Sequence, residues 1–239
     1  MGDQDLGLSF GAVAETYDRV RPAYSQAALD RAQEALELGA GARVLDLAAG
    51  TGRLTRELAR RFARVVAVEP DERMRAVHGA ALAGSAEAIP LDDASVDAVF
   101  VGEAFHWFDA RKAIAELARV LRARGGLAVI WVHWWETEPA LPDAALELLA
   151  GPYRRVLHER NPPWDDAFED SPFEPLRCEN FEDALSVDAD ALLELYSTTS
   201  SLAALPDDER ATLFAQVRPY LGGPYRLPVK TELTWTRLA

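Results

Sequence analysis

Between residues 25 and 135, short runs that are apolar at successive positions alternate with segments of helical periodicity, and this alternation leaves few folds open to the chain. The runs Arg43–Leu47, Arg64–Glu69, Ala81–Gly84, Val96–Val101 and Leu127–His133 are predicted strands. Strands without polar alternation suit a parallel sheet covered on both faces. The intervening segments Gln26–Leu38, Arg53–Phe62, Asp71–Val77 and Ala110–Leu121 place apolar residues three and four apart and are predicted helices. In the last of them Ile114, Leu117, Val120 and Leu121 make one face, and Gly125-Gly126 is expected to end the helix and turn the chain into the next strand. The expected class is α/β: a doubly wound, mostly parallel sheet.

After Trp135 the texture changes. Pro139, Pro142, Pro152, Pro162, Pro163, Pro172 and Pro175 punctuate a stretch rich in acids and aromatics, expected to be a partly helical lid or insertion with a helix over Asp143–His158. A strand is predicted at Leu176–Leu185 and helices at Ala189–Thr198 and Asp207–Tyr220. The acids Asp207, Asp208 and Glu209 suit the last helix's N-terminus. In Pro228–Leu238, Val229, Thr231, Leu233 and Trp235 alternate with Lys230, Glu232, Thr234 and Thr236, which predicts an antiparallel strand with one wetter face. No internal repeat occurs, so residues 1–239 read as a single domain. Its expected parts are an N-terminal segment (1–24), a core of alternating strands and helices (25–135), a lid or insertion (136–175) and a C-terminal part (176–239) that completes the sheet.

Composition excludes several functions. The single cysteine, Cys178, supplies neither an internal disulfide nor a thiolate metal cage, and no metal is expected. The 39 acidic against 25 basic side chains give a net charge of −14, which repels phosphate backbones, so nucleic acid is not expected as a partner. The apolar stretch Leu127–Trp135 is interrupted by His133 and falls far short of the roughly 20 residues of a membrane span. The N-terminus carries two acids and no basic segment, which points to a cytoplasmic protein and away from a membrane.

Chemistry concentrates in Val44-Leu45-Asp46-Leu47-Ala48-Ala49-Gly50-Thr51-Gly52, followed at once by helical Arg53-Leu54-Thr55-Arg56-Glu57-Leu58. Small residues in a strand-to-helix turn let a ligand approach the backbone, and the helix start offers free N–H groups. Glu69, at the tip of the second strand, can accept both hydroxyls of an unmodified ribose. A dinucleotide site wants a third glycine or alanine where this chain has Thr55, and Asp46 would oppose a nearby pyrophosphate. No Gly-Lys-Ser or Gly-Lys-Thr of a Walker loop occurs. A positively charged ligand tolerates the acid best.

These residues resemble the class I S-adenosylmethionine-dependent methyltransferases, in particular the small-molecule type with a Leu-Asp-x-x-x-Gly-Thr-Gly loop. Phe10 to Tyr24 is similar to that family's N-terminal cap, Val68-Glu69-Pro70-Asp71-x-x-Met74 to its second-strand segment and Gly84 to Leu91 to its third. Val96 to Phe100, running on to Phe105-His106-Trp107, is similar to its fourth strand and active-site exit. The ordered series covers about residues 10 to 135. The resemblance implies a Rossmann-like methyltransferase fold with a seven-stranded sheet, and S-adenosylmethionine as cofactor. It implies that Gly50 and Gly52 pass beneath the methionine part, Asp46 organises its ammonium and Glu69 holds the ribose. Pro70 and Met74 would line the adenine, while Ser85, Ala86 and Glu87 meet its edge. Ala48, Thr51 and Glu103 complete that side, and Tyr17 and Arg21 of the cap face the methionine end. Two departures stand out: the family's first loop glycine is Ala48 here, and Ser85 replaces a common Asp.

His106 lies where the family places groups facing the transferred methyl, so it is the candidate base if the acceptor is a hydroxyl or amine; a structural role beside Trp107 is the alternative. Phe105, Trp107, Trp134 and Trp135 are the candidate walls of a substrate pocket, while His78, His133 and His158 read as structural. The expectation is a methyltransferase acting on a small molecule, with transfer to oxygen favoured. An NAD-dependent oxidoreductase and a non-catalytic S-adenosylmethionine-binding protein are the alternatives.

Overall fold

The computed structural model describes residues 14–134, 141–156 and 164–239. In chain order its helices are α1 (Ala14–Val20), α2 (Gln26–Ala35), α3 (Arg53–Ala59), α4 (Glu72–His78), α5 (Ala110–Val120), α6 (Asp143–Val156), α7 (Ala189–Ser197), α8 (Ser200–Ala203) and α9 (Asp207–Val217). The strands are β1 (Arg43–Leu47), β2 (Arg64–Glu69), β3 (Leu82–Ala83), β4 (Val96–Gly102), β5 (Leu121–His133), β6 (Arg177–Val187) and β7 (Tyr225–Arg237). They form one mixed, mostly parallel sheet in the order β3-β2-β1-β4-β5-β7-β6. The strand order reverses beside β1, between β2 on one side and β4 on the other. In such sheets the crevice at the carboxyl ends of the strands where the order reverses is where ligands bind.

The continuous apolar strands are buried on both faces, as parallel strands under helices must be. Val44, Leu45 and Leu47 of β1, Val99 and Val101 of β4 and Leu127, Val129 and Ile130 of β5 have no exposed surface. On α5, Ile114, Leu117 and Val120 form the buried face. Each large side chain taken out of water there contributes about 1.5–3 kcal/mol.

Two compact units cluster within the chain. One comprises Ala23–Val132, Asn161–Phe181 and Lys230–Ala239; the other comprises Met1–Pro22, His133–Arg160 and Glu182–Val229. In the second unit Arg21 ties α1 to the end of α7: Nε donates to Thr198 Oγ1 at 2.8 Å and Nη2 to the Thr198 carbonyl at 2.5 Å. Its guanidinium also lies 4.9 Å from the Tyr17 ring centroid and 5.6 Å from that of Trp134. No helix of the described residues is long and apolar enough to cross a membrane. The first thirteen residues of the expected cap, and residues 135–140 and 157–163 of the region after β5, lie outside the described residues.

Three local expectations are corrected. Gly125 and Gly126 do not end α5; the helix stops at Val120 and β5 begins at Leu121, with Arg124 taking the left-handed turn at φ 62. The glycines lie inside the strand because space is lacking there: a Cβ on Gly126 would drive into the Leu36 side chain, and one on Gly125 would lie 2.8 Å from the Arg122 carbonyl. The predicted strand Ala81–Gly84 shrinks to Leu82–Ala83, since Pro90 packs where a side chain at Gly84 would stand and Ser85 bridges back to Ala88. The wetter face expected on the last strand holds only for its first half. Thr234 and Thr236 are buried, and the Thr236 hydroxyl donates to the Glu174 carbonyl at 2.6 Å.

Candidate functional site

Three positive φ angles within five residues curl the loop after β1: Ala48 at 58°, Gly50 at 56° and Gly52 at 85°. Only glycine takes that region without cost, so Ala48 is a strained alanine at the family's glycine position. Two hydrogen bonds hold the curl, Ala49 N–H to the Val68 carbonyl at 3.0 Å and Gly52 N–H to the Ala49 carbonyl at 2.9 Å. Gly52 is needed on two grounds, because a Cβ there would also lie 2.8 Å from Cδ2 of His78. Above Gly50 the space is open, with no atom within 4 Å of where a Cβ would point.

Asp46 belongs to β1 itself, between Ala67 of β2 and Phe100 of β4, rather than to the turn. It is 1% exposed. Its Oδ2 accepts from Thr55 Oγ1 at 2.5 Å, while its buried Oδ1 has no hydrogen-bond partner. Burial pushes its carboxyl up to about 7, with the nearby Glu69 charge adding to the rise and the Thr55 hydroxyl opposing it. Glu69, at the tip of β2, is also buried. Its Oε2 accepts from Gly50 N–H and its Oε1 from Asp71 N–H, both at 2.8 Å, so this carboxylate clamps the β1 loop to the start of α4. Burial raises its pKa as well, against those two bonds. Two buried carboxylates with one oxygen unsatisfied make a site electrostatically ready for a cation.

The segment after β2 follows from ordinary capping. Asp71 accepts from Arg73 and Met74 N–H and starts α4, which leaves Pro70 exposed and Met74 buried. Beyond β3, Ser85 is partly exposed and Ala86 buried. Glu116 accepts from Ile89 N–H at 2.8 Å and Arg119 donates to the Ile89 and Leu91 carbonyls, which pins that loop to α5. Glu87 Oε1 accepts from Asp109 N–H at 2.9 Å, an anchor for the start of α5. Past β4, Glu103 sits at φ 62 and its carboxylate accepts from Val132 N–H. Thr51 is buried, and its carbonyl accepts from Arg56 Nη1 at 3.0 Å.

The turn Phe105–Trp107 leads into an aromatic cluster. His106 lies 4.3 Å from the Trp107 ring and 5.1 Å from the Trp131 ring, centroid to centroid, and burial lowers its pKa to about 4. Trp164 adds a ring 4.8 Å from Phe105 and 6.3 Å from Trp131. Two expected pocket walls are corrected. Phe105 has no exposed surface and is held by Phe108, Trp164 and Phe168, so it backs the cluster; Trp134, 1% exposed, packs edge-on against Tyr196. Trp107 is partly exposed, and Trp135 lies outside the described residues. Tyr17 and Arg21 belong to the other compact unit and meet each other there.

Sequence reasoning missed Thr55 and His78. Thr55 Oγ1 reaches both Asp46 Oδ2 and, at 3.0 Å, Nε2 of His78. The signal was present in Thr55, one turn into the helix that follows the loop, but the partner on α4 carries no spacing rule.

Residues 45–129 match the methyltransferase domain family, over the stretch that holds the loop, Glu69 and His106. A methyltransferase-like protein of Schizosaccharomyces pombe is 30% identical over 225 residues, which cover 91% of this chain and 87% of that protein. The chain belongs to the class I S-adenosylmethionine-dependent methyltransferases. Within this family, an uncharacterized methyltransferase of Mycobacterium tuberculosis is 49% identical over 134 residues, 54% of each chain. The match thus spans about half the length of that mycobacterial relative. Among solved structures, a protein of Anaeromyxobacter dehalogenans, provisionally described as a type II methyltransferase, superposes with a TM-score of 0.61 at 26% identity, covering 91% of this chain and 96% of that one. A Haemonchus contortus phosphoethanolamine N-methyltransferase, solved with S-adenosylhomocysteine, shares the fold with a TM-score of 0.58 at 15% identity, over 99% of this chain and 60% of its own.

Proposed function

We propose that this chain binds S-adenosylmethionine in the curl after β1 and transfers its methyl group to a small molecule. The observation that carries the reading is Asp46 Oδ1, a buried carboxylate oxygen without a partner beneath an open glycine loop. The cofactor's amino acid group supplies the ammonium such an oxygen lacks, and the residues present therefore fit it. Gly50 leaves room for the methionine backbone, and Glu69, with both oxygens already fixed by backbone N–H groups, keeps its remaining lone pairs for the ribose hydroxyls. Met74 and Pro70 offer one apolar flank for the adenine, and Ser85, Ala86 and Glu87 its edge. A dinucleotide fits less well, because its pyrophosphate would meet two buried carboxylates.

When bound, the cofactor supplies an activated methyl and its own leaving group, so the protein's work is alignment and exclusion of water. His106 is held neutral at physiological pH in its aromatic surroundings and has low proton affinity. A weak base of this kind favours an acceptor that is already nucleophilic. We read the acceptor as a carboxylate, methylated on oxygen, with Trp107 and Trp131 beside His106 shaping an apolar approach.

Thermal shift with S-adenosylhomocysteine against NAD tests the cofactor, and counting labelled methyl transferred into a panel of carboxylic acids, phenols and amines tests the reaction. Stabilisation by S-adenosylhomocysteine alone and base-labile label in an acid are the expected results. Stabilisation by NAD would replace the reading with an oxidoreductase. Binding without transfer to any class would reduce it to a cofactor-binding protein.

A further inference from the structure

The buried Asp46 carboxylate is supported by a chain of side chains from two other elements. Ala80 N–H donates to His78 Nδ1 at 3.3 Å, which leaves the proton of the neutral ring on Nε2. Nε2 lies 3.0 Å from Thr55 Oγ1, and the hydroxyl, accepting from the ring, directs its own proton to Asp46 Oδ2 at 2.5 Å. The His78 ring is kept in place by the loop itself, packed where any side chain on Gly52 would stand.

We propose that Thr55 and His78 are positioning residues for the cofactor: the hydrogen-bonded chain His78–Thr55–Asp46 fixes Oδ2 and presents Oδ1 as the single acceptor for a cationic amino group. The inference rests on the cofactor reading above. Either carboxylate oxygen could otherwise rotate toward the ligand, and the ionised form would lose a charge-assisted hydrogen bond. The titratable groups around the chain are Glu69 from β2, which disfavours the Asp46 charge, and His78 itself, whose pKa is lowered by burial and then by Arg56 from α3. Asp71 and Arg75 act on Glu69 rather than on Asp46. A cationic ligand requires Asp46 ionised, so affinity rises with pH through the carboxyl's titration. Losing the Thr55 hydroxyl moves that rise to higher pH.

Calorimetric titration of S-adenosylhomocysteine between pH 5.5 and 8.5, on wild type, Thr55→Val, Thr55→Ser and His78→Phe, reads this directly. At pH 5.5, below both midpoints, Thr55→Val is expected to bind about tenfold more weakly, with its midpoint displaced upward by about one pH unit, the equivalent of that loss. Thr55→Ser should keep the wild-type profile, and His78→Phe should lose about threefold with a smaller displacement in the same direction. A Thr55→Val midpoint equal to wild type overturns the proposal, as does an equal loss in Thr55→Ser. If Thr55→Val does not fold, an unmoved midpoint in His78→Phe overturns it. Failure of the wild type to bind at any pH would instead bring down the cofactor reading, before any variant is made.

Discussion

Replacing Asp46 by Asn should make the ligand-free protein more stable above neutral pH while removing its capacity to bind cofactor. The carboxyl has a folded-state pKa of about 7 against 3.8 for an exposed Asp, with burial as the main cause. The folded value is raised, so the folded state holds its proton where the unfolded state has lost it. Stability therefore falls as pH rises from about 4 to about 7, and the full penalty is present above the folded pKa. Roughly three pH units at about 1.4 kcal/mol each set a ceiling of about 4 kcal/mol. Asn keeps an acceptor for Thr55 but places an amide where Oδ1 stood, and an unsatisfied buried amide costs about 1–3 kcal/mol. The net expectation is a gain of about 1–2 kcal/mol at pH 8 and none, or a loss, at pH 5. Urea unfolding of both proteins at the two pH values measures it. A stability difference that is the same at pH 5 and pH 8 would refute the placement of a buried, protonatable carboxylate at this site.

Four further outcomes follow from the geometry. Glu69→Ala should weaken S-adenosylmethionine binding by about 1.5–3 kcal/mol in calorimetry, since it removes both the proposed ribose partner and the clamp on Gly50 N–H; unchanged affinity would remove it from the ribose. Gly50→Ala should cost about 1–2 kcal/mol of stability from its left-handed backbone and a larger factor in cofactor affinity, because the methyl points into open space that the ligand would fill; wild-type affinity would show that the loop does not approach the cofactor. Ala48→Gly relieves the same strain and should leave stability unchanged or raise it by up to about 1 kcal/mol, read from denaturant midpoints, whereas a clear loss would contradict its φ of 58. Gly126→Ala should destabilise by about 1–3 kcal/mol through collision with Leu36, and Leu36→Ala in the same chain should recover part of that loss; additive effects would mean the two do not touch.

Much of the fold could be read from local pattern. Continuous apolar runs identified the central strands because a strand covered on both faces admits no polar alternation, and β1 and β2 have the predicted limits. The loop Ala48–Gly52 stood out because a backbone that must curl at three positive φ angles leaves small residues in a row. Gly125 and Gly126 misled because a glycine pair signals a helix end as readily as a lack of space, and only the Leu36 side chain overhead distinguishes them. Thr234 and Thr236 read as solvent-facing from their chemistry; the tertiary structure buries them and gives Thr236 a carbonyl partner in Glu174.

The sequence by itself determined the α/β class, the alternation of elements and the acids near the ends of β1 and β2, because continuous apolar runs and three- and four-residue apolar spacing are local patterns written in the order of the residues. The tertiary structure alone decided what those acids experience. Asp46 has its raised pKa because β2, β4 and α3 close around it, its Oδ2 is bonded because Thr55 returns one turn into α3, and Thr55 is oriented because His78 arrives on α4. Contacts between elements 23 residues apart carry no periodic signal, since they are set by the close packing of the folded chain rather than by the geometry of any one segment.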